Sequence, residues 1–410
     1  MRLKAGELIT GLDVGSTKVC VVVGEVKDGM VDIIGTGISH SRGIKKGVVV
    51  NIEEAVESIR EAVESAEMST GVTIKAVYTG ISGRHIKSDP SNGVIAVKEK
   101  EINQKEVDRV IDAARAVAIP FDREVLHVIP VGYTVNGENG ISDPRGMGGV
   151  RLEVNVQIIT GASTSMHNLI RSCQKAGLEV IDFVFEPLAS ASAIISGDEK
   201  ELGVAVVDIG GGTTDIALFK GGSICHASVL TVGGNNFTND VAIGLRIPAG
   251  ESEKIKLRHG CSMMSLVNEG EEIEIGYGNG RPGRKVPVNY LIEIIQPRAE
   301  ELFGLVRDEI RDSGGEVGIT VSGVVLTGGA SMMKGMDVMA ENMIELPVRI
   351  GSPEDIEGPA DIGTPEYAAG VGLVLYGAEG FLAEQRLGMN GGFNGMVSKV
   401  RGWVKGSIRL

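Results

Sequence analysis

The chain has 410 residues, 42% apolar and 23% charged, which exceeds one ordinary hydrophobic core and excludes a disordered chain. A formal net charge of −14 repels phosphate backbones and argues against a nucleic-acid partner. Four scattered cysteines (Cys20, Cys173, Cys225, Cys261) form no Cys-x-x-Cys pair and read as reduced thiols of a cytoplasmic protein, and the six histidines lack metal-ligand spacing. Charges interrupt the first ten residues, so they do not read as a signal peptide, and no run of about 18 apolar residues is present to span a bilayer.

In chain order, a strand-like stretch enters Gly11-Leu12-Asp13-Val14-Gly15-Ser16-Thr17-Lys18 and an apolar run follows over 19–23, which reads as a hairpin with a glycine turn. Residues 51–65 place Ile52, Ala55, Val56, Ile59 and Val63 at helical period, and 102–117 reads as a second helix stopped by Pro120. Residues 151–159 alternate as a strand, and 164–176 read as a helix. The hairpin pattern then returns, with 204–207 leading into Asp208-Ile209-Gly210-Gly211-Gly212-Thr213-Thr214-Asp215 and an apolar run over 216–219. One pattern near the start of each half predicts two related lobes. Helices are expected over 250–259 and 288–312, a strand over 321–326 entering Thr327-Gly328-Gly329-Ala330-Ser331, and a small-residue helix over 367–376. This alternation argues for α/β architecture. Residues 387–395 read as a flexible linker, and 393–410 as a basic tail.

The two hairpins carry phosphate chemistry. Glycine turns let backbone N–H groups approach phosphate oxygens, hydroxyls add donors, and carboxylates hold magnesium through its water shell. The first loop offers Asp13, Gly15, Ser16, Thr17 and Lys18. The second offers Asp208, Gly210, Gly211, Gly212, Thr213, Thr214 and Asp215. Asp13, Asp208 and Asp215 are the candidate Mg2+ carboxylates. No Gly-x-x-x-x-Gly-Lys-Ser/Thr motif occurs, and the Gly-Tyr-Gly-Asn-Gly stretch at 276–280 lacks the strand and helix of a dinucleotide loop and reads as a turn.

These loops with the strand-Thr-Gly-Gly-Ala segment resemble the actin superfamily, and most closely its FtsA family of bacterial cell-division proteins. The resemblance covers essentially the whole chain. Its carriers include Gly140-Ile141-Ser142-Asp143-Pro144-Arg145-Gly146-Met147 with Arg151-Leu152-Glu153, the run 186–190, Val232-Gly233-Gly234 with Thr238-Asn239-Asp240, and Ile255-Lys256-Leu257-Arg258. It implies an actin-like ATPase fold of two lobes with ATP at the bottom of the cleft, and at most slow hydrolysis. Lys18 would reach the phosphates. Gly233, Gly234 and Asn235 would lie near the nucleotide, although Asn235-Asn236 stands where the family often has an acidic residue or His. Glu253 and Lys256, on one helix face, would border ribose and adenine, or form a plain surface pair. Gly328, Gly329, Ala330 and Met332 would pack against the adenosine. Glu186 occupies the position that places the attacking water, making it with Asp13 and Asp208 a candidate catalytic group; beside Pro187 it also reads as a helix-start residue.

The implied organisation is a first-lobe core at 1–83 and 158–197, an inserted subdomain at 84–157, a second-lobe core at 198–229 and 318–386, and a smaller second-lobe subdomain at 230–317. The insert is implied to serve polymer contacts and recruitment of later division proteins, and the smaller subdomain to bind the C-terminal tail of FtsZ.

In the tail, Phe393, Met396, Val397, Val400, Trp403, Val404 and Ile408 share a face at 100° per residue, with Lys399, Arg401, Lys405 and Arg409 outside it. No Asp or Glu occurs from Leu387 onward. Such a C-terminal amphipathic helix suits an anionic lipid surface, or docking in a protein groove; the resemblance favours the membrane, at the division septum. Gly395, Gly402 and Gly406 each weaken it by roughly 1 kcal/mol relative to Ala, so single tails are expected to bind weakly and filaments by avidity. Other readings of the same loops are a pilus-assembly scaffold, a small-molecule kinase and a chaperone ATPase; no kinase base stands in a clear context, and too few residues follow the last core helix for a peptide-binding domain.

Overall fold

The computed structural model describes residues 7–268, 270–276, 283–317 and 321–386. All but Gly276 of the predicted turn at 276–280, and the predicted linker and tail at 387–410, lie outside the described residues.

Each predicted hairpin opens a five-stranded sheet. Glu7–Val14, Lys18–Lys27 and Met30–His40 form an antiparallel meander, and Ala76–Ile81 and Glu179–Phe185 extend it with parallel pairing on the side of Glu7–Val14. Val204–Ile209, Thr214–Lys220 and Ser223–Leu230 repeat the meander, and Val324–Thr327 and Val348–Ile350 extend it in the same sense. Strand order and directions match, so the recurring sequence pattern marks a recurring architecture.

These central strands carry continuous apolar runs because both faces are covered. Val19, Cys20, Val21, Val22 and Val23 are all fully buried. One covering helix, Ile52–Thr70, starts where Asn51 Oδ1 accepts from Glu53 N–H at 3.1 Å and stops where Gly71 adopts φ 71°. Another, Ala368–Arg386, runs well past the predicted 367–376 and follows a 3-10 turn, Pro365–Tyr367. Its glycines allow close packing: a Cβ at Gly372 would lie 1.8 Å from the Ala189 carbonyl oxygen.

A four-stranded antiparallel sheet is inserted after Ala76–Ile81, in the order Lys87–Ala96, Arg151–Ala162, Arg123–Val135, Glu138–Ile141. The helix Gln104–Arg115, capped by Asn103, packs Val107, Val110 and Ala114 against Leu152, Val154 and Val156. Predicted as 102–117, it starts later because Asn103 takes the cap, and it ends at Arg115, where Ala116 leaves helical geometry. The return strand continues past the predicted 159 to Ala162. This sheet also touches the second half of the chain: Gln157 Nε2 donates to the Cys225 carbonyl, and Val131 packs against the second core. The predicted helices 164–176, 250–259 and 288–312 stand as Ser163–Lys175, Ala249–His259 and Val288–Val317, and the strand 321–326 as Val324–Thr327.

Candidate functional site

The two glycine turns meet tip to tip. Gly15 N–H donates to the Lys18 carbonyl at 3.0 Å and Gly210 N–H to the Thr213 carbonyl at 3.0 Å, closing each turn. A Cβ at Gly211 would lie 1.9 Å from Thr17 Oγ1, and one at Gly212 would lie 2.6 Å from Ser16 Oγ. Only glycine permits that approach. Ser16 Oγ accepts from Gly47 N–H at 3.0 Å, and Thr17 Oγ1 donates to Asn235 Oδ1 at 3.4 Å.

Beyond the turns opens a cavity of about 750 Å3. Of the predicted nucleotide and carboxylate residues, all but Thr214 and Gly233 line it. Strand alternation turns Thr214 away, and its Oγ1 donates to the Val232 carbonyl at 2.8 Å. Gly233 packs beneath the second turn, where a Cβ would lie 2.7 Å from the Gly210 carbonyl oxygen. Both residues shape the loop without facing the cavity. Asn236 likewise serves its own turn, its Oδ1 accepting from Gly233 N–H at 3.1 Å.

Four carboxylates crowd the floor. Asp208 and Asp215 face each other as a cross-strand pair, and Asp13 and Glu186 approach from the first lobe. Burial pushes Asp13 up to about 6 against the pull of Lys18, and Asp208 adds to the rise. Burial likewise pushes Asp215 up to about 7, opposed by its hydrogen bond from Ser82 and reinforced by Asp208. Glu186 stands well above the ordinary carboxylate range through burial and the charges of Asp13, Asp215 and Asp208. Asp208 is also raised by burial, held down by Ser190 Oγ donating at 2.8 Å to its Oδ2 and by Lys18. Thr213 Oγ1 donates to Asp215 Oδ2 at 3.2 Å. Among the described residues no three His, Cys, Asp or Glu side chains converge closely enough to ligate an ion directly.

Lys18, expected at the phosphates, lines the cavity and pairs with Glu366. Its Nζ donates to the Glu366 carbonyl at 2.7 Å and to Glu366 Oε2 at 3.0 Å, and lies 4.7 Å from the Tyr367 ring centre. On the opposite wall, Lys256 Nζ pairs with Glu253 Oε2 at 2.8 Å and donates to Thr238 Oγ1 at 3.0 Å. The pair therefore lies in the cleft wall, not on the open surface. Gly328 adopts φ 83°, and a Cβ there would lie 2.3 Å from Asp208 Oδ1, so the Thr-Gly-Gly-Ala turn closes directly over the carboxylates. Glu186 opens the helix Glu186–Ile194, with Pro187 in its first turn.

Three groups of the site carried no role in the sequence reading. Ser190 lies one helical turn after Glu186, a spacing that places both on one face. Ser82 and Glu366 reach the site from a strand end and a 3-10 turn, where no local pattern announces them.

Chemically, the arrangement offers glycine turns for anionic oxygens and a set of buried carboxylates that a hydrated cation would relieve. Family models match the chain at residues 205–372 ("Cell division protein FtsA") and 83–160 ("SHS2 domain inserted in FTSA"). The FtsA of Pseudomonas aeruginosa is 42% identical over 99% of both chains, and that of Neisseria meningitidis 40% identical over 98% of both. The FtsA of Escherichia coli is 37% identical over 97% of this chain and 98% of its own. Among solved structures, the PilM-PilN type IV pilus biogenesis complex aligns with a TM-score of 0.66 at 17% identity, covering 90% of this chain and 98% of the other. MreB5 of Spiroplasma citri bound to ADP aligns at 0.54 and 14% identity, covering 94% and 99%. The structural likenesses establish the actin-like ATPase fold, and the near full-length relatives do not favour the pilus-scaffold, kinase or chaperone readings. With twinned hairpin sheets, facing glycine turns and an inserted sheet between the first lobe's strands, this chain is an actin-like cell division protein and belongs to the FtsA family.

Proposed function

We propose that the cleft binds ATP with Mg2+ and that its occupancy controls assembly of a filament tying the FtsZ polymer to the cytoplasmic face of the membrane at the division septum. The observation that carries the reading is the contact of two glycine turns over four clustered carboxylates, three of them (Asp13, Asp208 and Asp215) buried. The donor set fits the ligand: Ser16, Thr17, Gly211, Gly212 and Thr213 suit phosphate oxygens, and Asp13, Asp208 and Asp215 suit a magnesium ion held through its water shell. The bound ion would supply charge neutralisation at the phosphates. Glu253, Lys256, Gly328 and Met332 border the nucleoside end, and Glu186 holds a water for slow hydrolysis.

The remaining assignments follow the predicted organisation. The insert at 84–157 serves polymer contacts and later division proteins, and the subdomain at 230–317 receives the FtsZ tail. The tail at 393–410 lies on anionic lipid through the apolar face of Phe393 to Ile408, with Trp403 as its anchor. Each tail binds weakly, and a filament presents many, so ATP gates membrane attachment through assembly.

Flotation with anionic vesicles, with and without ATP, tests this, followed by co-pelleting with FtsZ. ATP-dependent flotation that vanishes on removing 393–410 is expected. An assembly-blocked variant that floats as tightly as the wild type would refute avidity control.

A further inference from the structure

Behind the main cleft, the loop after Ala76–Ile81 and the first turn of Ser163–Lys175 enclose a second cavity of about 10 Å3. Ser82, His85, Ser165 and Glu186 supply its polar walls. The space is about that of one water molecule, which needs two to four polar partners when buried.

His85 provides an unusual wall. Its Nδ1 accepts from Ala162 N–H at 3.4 Å. An imidazole that accepts at Nδ1 and is neutral must carry its proton on Nε2. That Nε2 is buried and has no hydrogen-bond partner among the described residues. Burial and the nearby Arg123 guanidinium lower the ring's pKa to about 4, outweighing weaker hydrogen bonding to the backbone of His85 and Ser82, so the ring is neutral at physiological pH. A buried donor without a well-aligned acceptor is unfavourable, and the cavity it lines holds the Glu186 carboxylate on its wall.

We propose that His85 is a positioning residue for Glu186, donating its Nε2 proton through one buried water to the Glu186 carboxylate. The proposal rests on the reading of Glu186 as the group that holds the attacking water. A bond from behind fixes the carboxylate while leaving its other oxygen to the cleft, which Glu186 also lines. The backbone at His85 is clamped from the base of the inserted sheet. Arg123 Nη2 donates to the His85 carbonyl and to the Thr160 carbonyl, each at 2.8 Å. The aim of Glu186 therefore depends on the paired strands Arg123–Val135 and Arg151–Ala162 of the insert.

The test uses the full chain with two independent readouts. In the first, nitrogen-labelled histidine is observed by NMR in the wild type and in Glu186→Gln. The expected result is an Nε2-protonated tautomer for His85 whose Nε2–H resonance shifts when the carboxylate becomes an amide. A proton on Nδ1, or a resonance indifferent to Glu186→Gln, overturns the proposal. In the second, ATP hydrolysis is measured in His85→Leu and His85→Gln. Loss of aim should lower kcat about tenfold in His85→Leu with KM within about twofold, and the side-chain amide of His85→Gln should restore most of it. Equal kcat in all three proteins, or a fall in His85→Leu that His85→Gln does not recover, overturns it. Undiminished hydrolysis in Glu186→Gln, beside a shifted His85 resonance, would remove the water-holding role of Glu186 while confirming the link.

Discussion

Replacing Asp215 by Asn should stabilise the ligand-free protein at alkaline pH and destabilise it in acid. Asp215 is 2% exposed and its pKa rises from 3.8 to about 7 through burial, against the Ser82 hydrogen bond, with Asp208 and Asp13 adding repulsion. A group raised in the fold contributes its full stability below the unfolded pKa and loses it as pH rises through the folded one. The ionised side chain then burdens the fold by about 4 kcal/mol once the pH is above 7, and by nothing near pH 4. Asn removes that burden at every pH. It also keeps only one acceptor oxygen for the two hydroxyls of Ser82 and Thr213, a loss of about 1 kcal/mol that does not depend on pH. The net expectation is a gain of about 3 kcal/mol near pH 8 and a loss of about 1 kcal/mol near pH 4. Urea unfolding followed by amide exchange in the strand Thr214–Lys220 measures both. Added Mg2+ and ATP should narrow the alkaline difference, because a cation relieves the wild-type carboxylate and has less to relieve in the variant. An equal effect of Asp215→Asn at the two pH values would refute the reasoning, since it would mean the carboxylate is not held out of its ordinary range.

Gly211→Ala should weaken ATP binding at least about tenfold by calorimetry, because its Cβ would lie 1.9 Å from Thr17 Oγ1. Thr17→Gly in the same chain should recover part of the loss, since the obstacle is a side chain. Gly233→Ala should resist any such rescue, because its Cβ would meet the Gly210 carbonyl oxygen at 2.7 Å. Glu366→Gln frees the Lys18 ammonium from its ion pair and should tighten ATP binding severalfold in low salt, with the gain shrinking as ionic strength rises.

The hairpins were legible because their chemistry is local: an Asp, a glycine turn and hydroxyls follow one another in a few residues. The same holds for helix starts such as Asn51 and Asn103, where the cap residue sits at the boundary it creates. What escaped the sequence is what the fold brings from afar. Ser82 reaches Asp215 across 133 positions and Glu366 reaches Lys18 across 348, and neither stands in a motif. The helix Ala368–Arg386 outran its predicted end because Gly377, which weakens a helix in isolation, packs against the Tyr78 ring and the Ile9 side chain. Thr214 shows the opposite case, a residue inside the motif whose side chain strand alternation turns from the cavity toward the Val232 carbonyl.

The inserted sheet rests on the second half of the chain as well as on the first, through Gln157 at the Cys225 carbonyl and Val131 in the second core. A subdomain attached at one end only would ride passively on its lobe. One with a foot on each side acts as a brace across the joint, because parting the lobes must shear that contact or drag the sheet along.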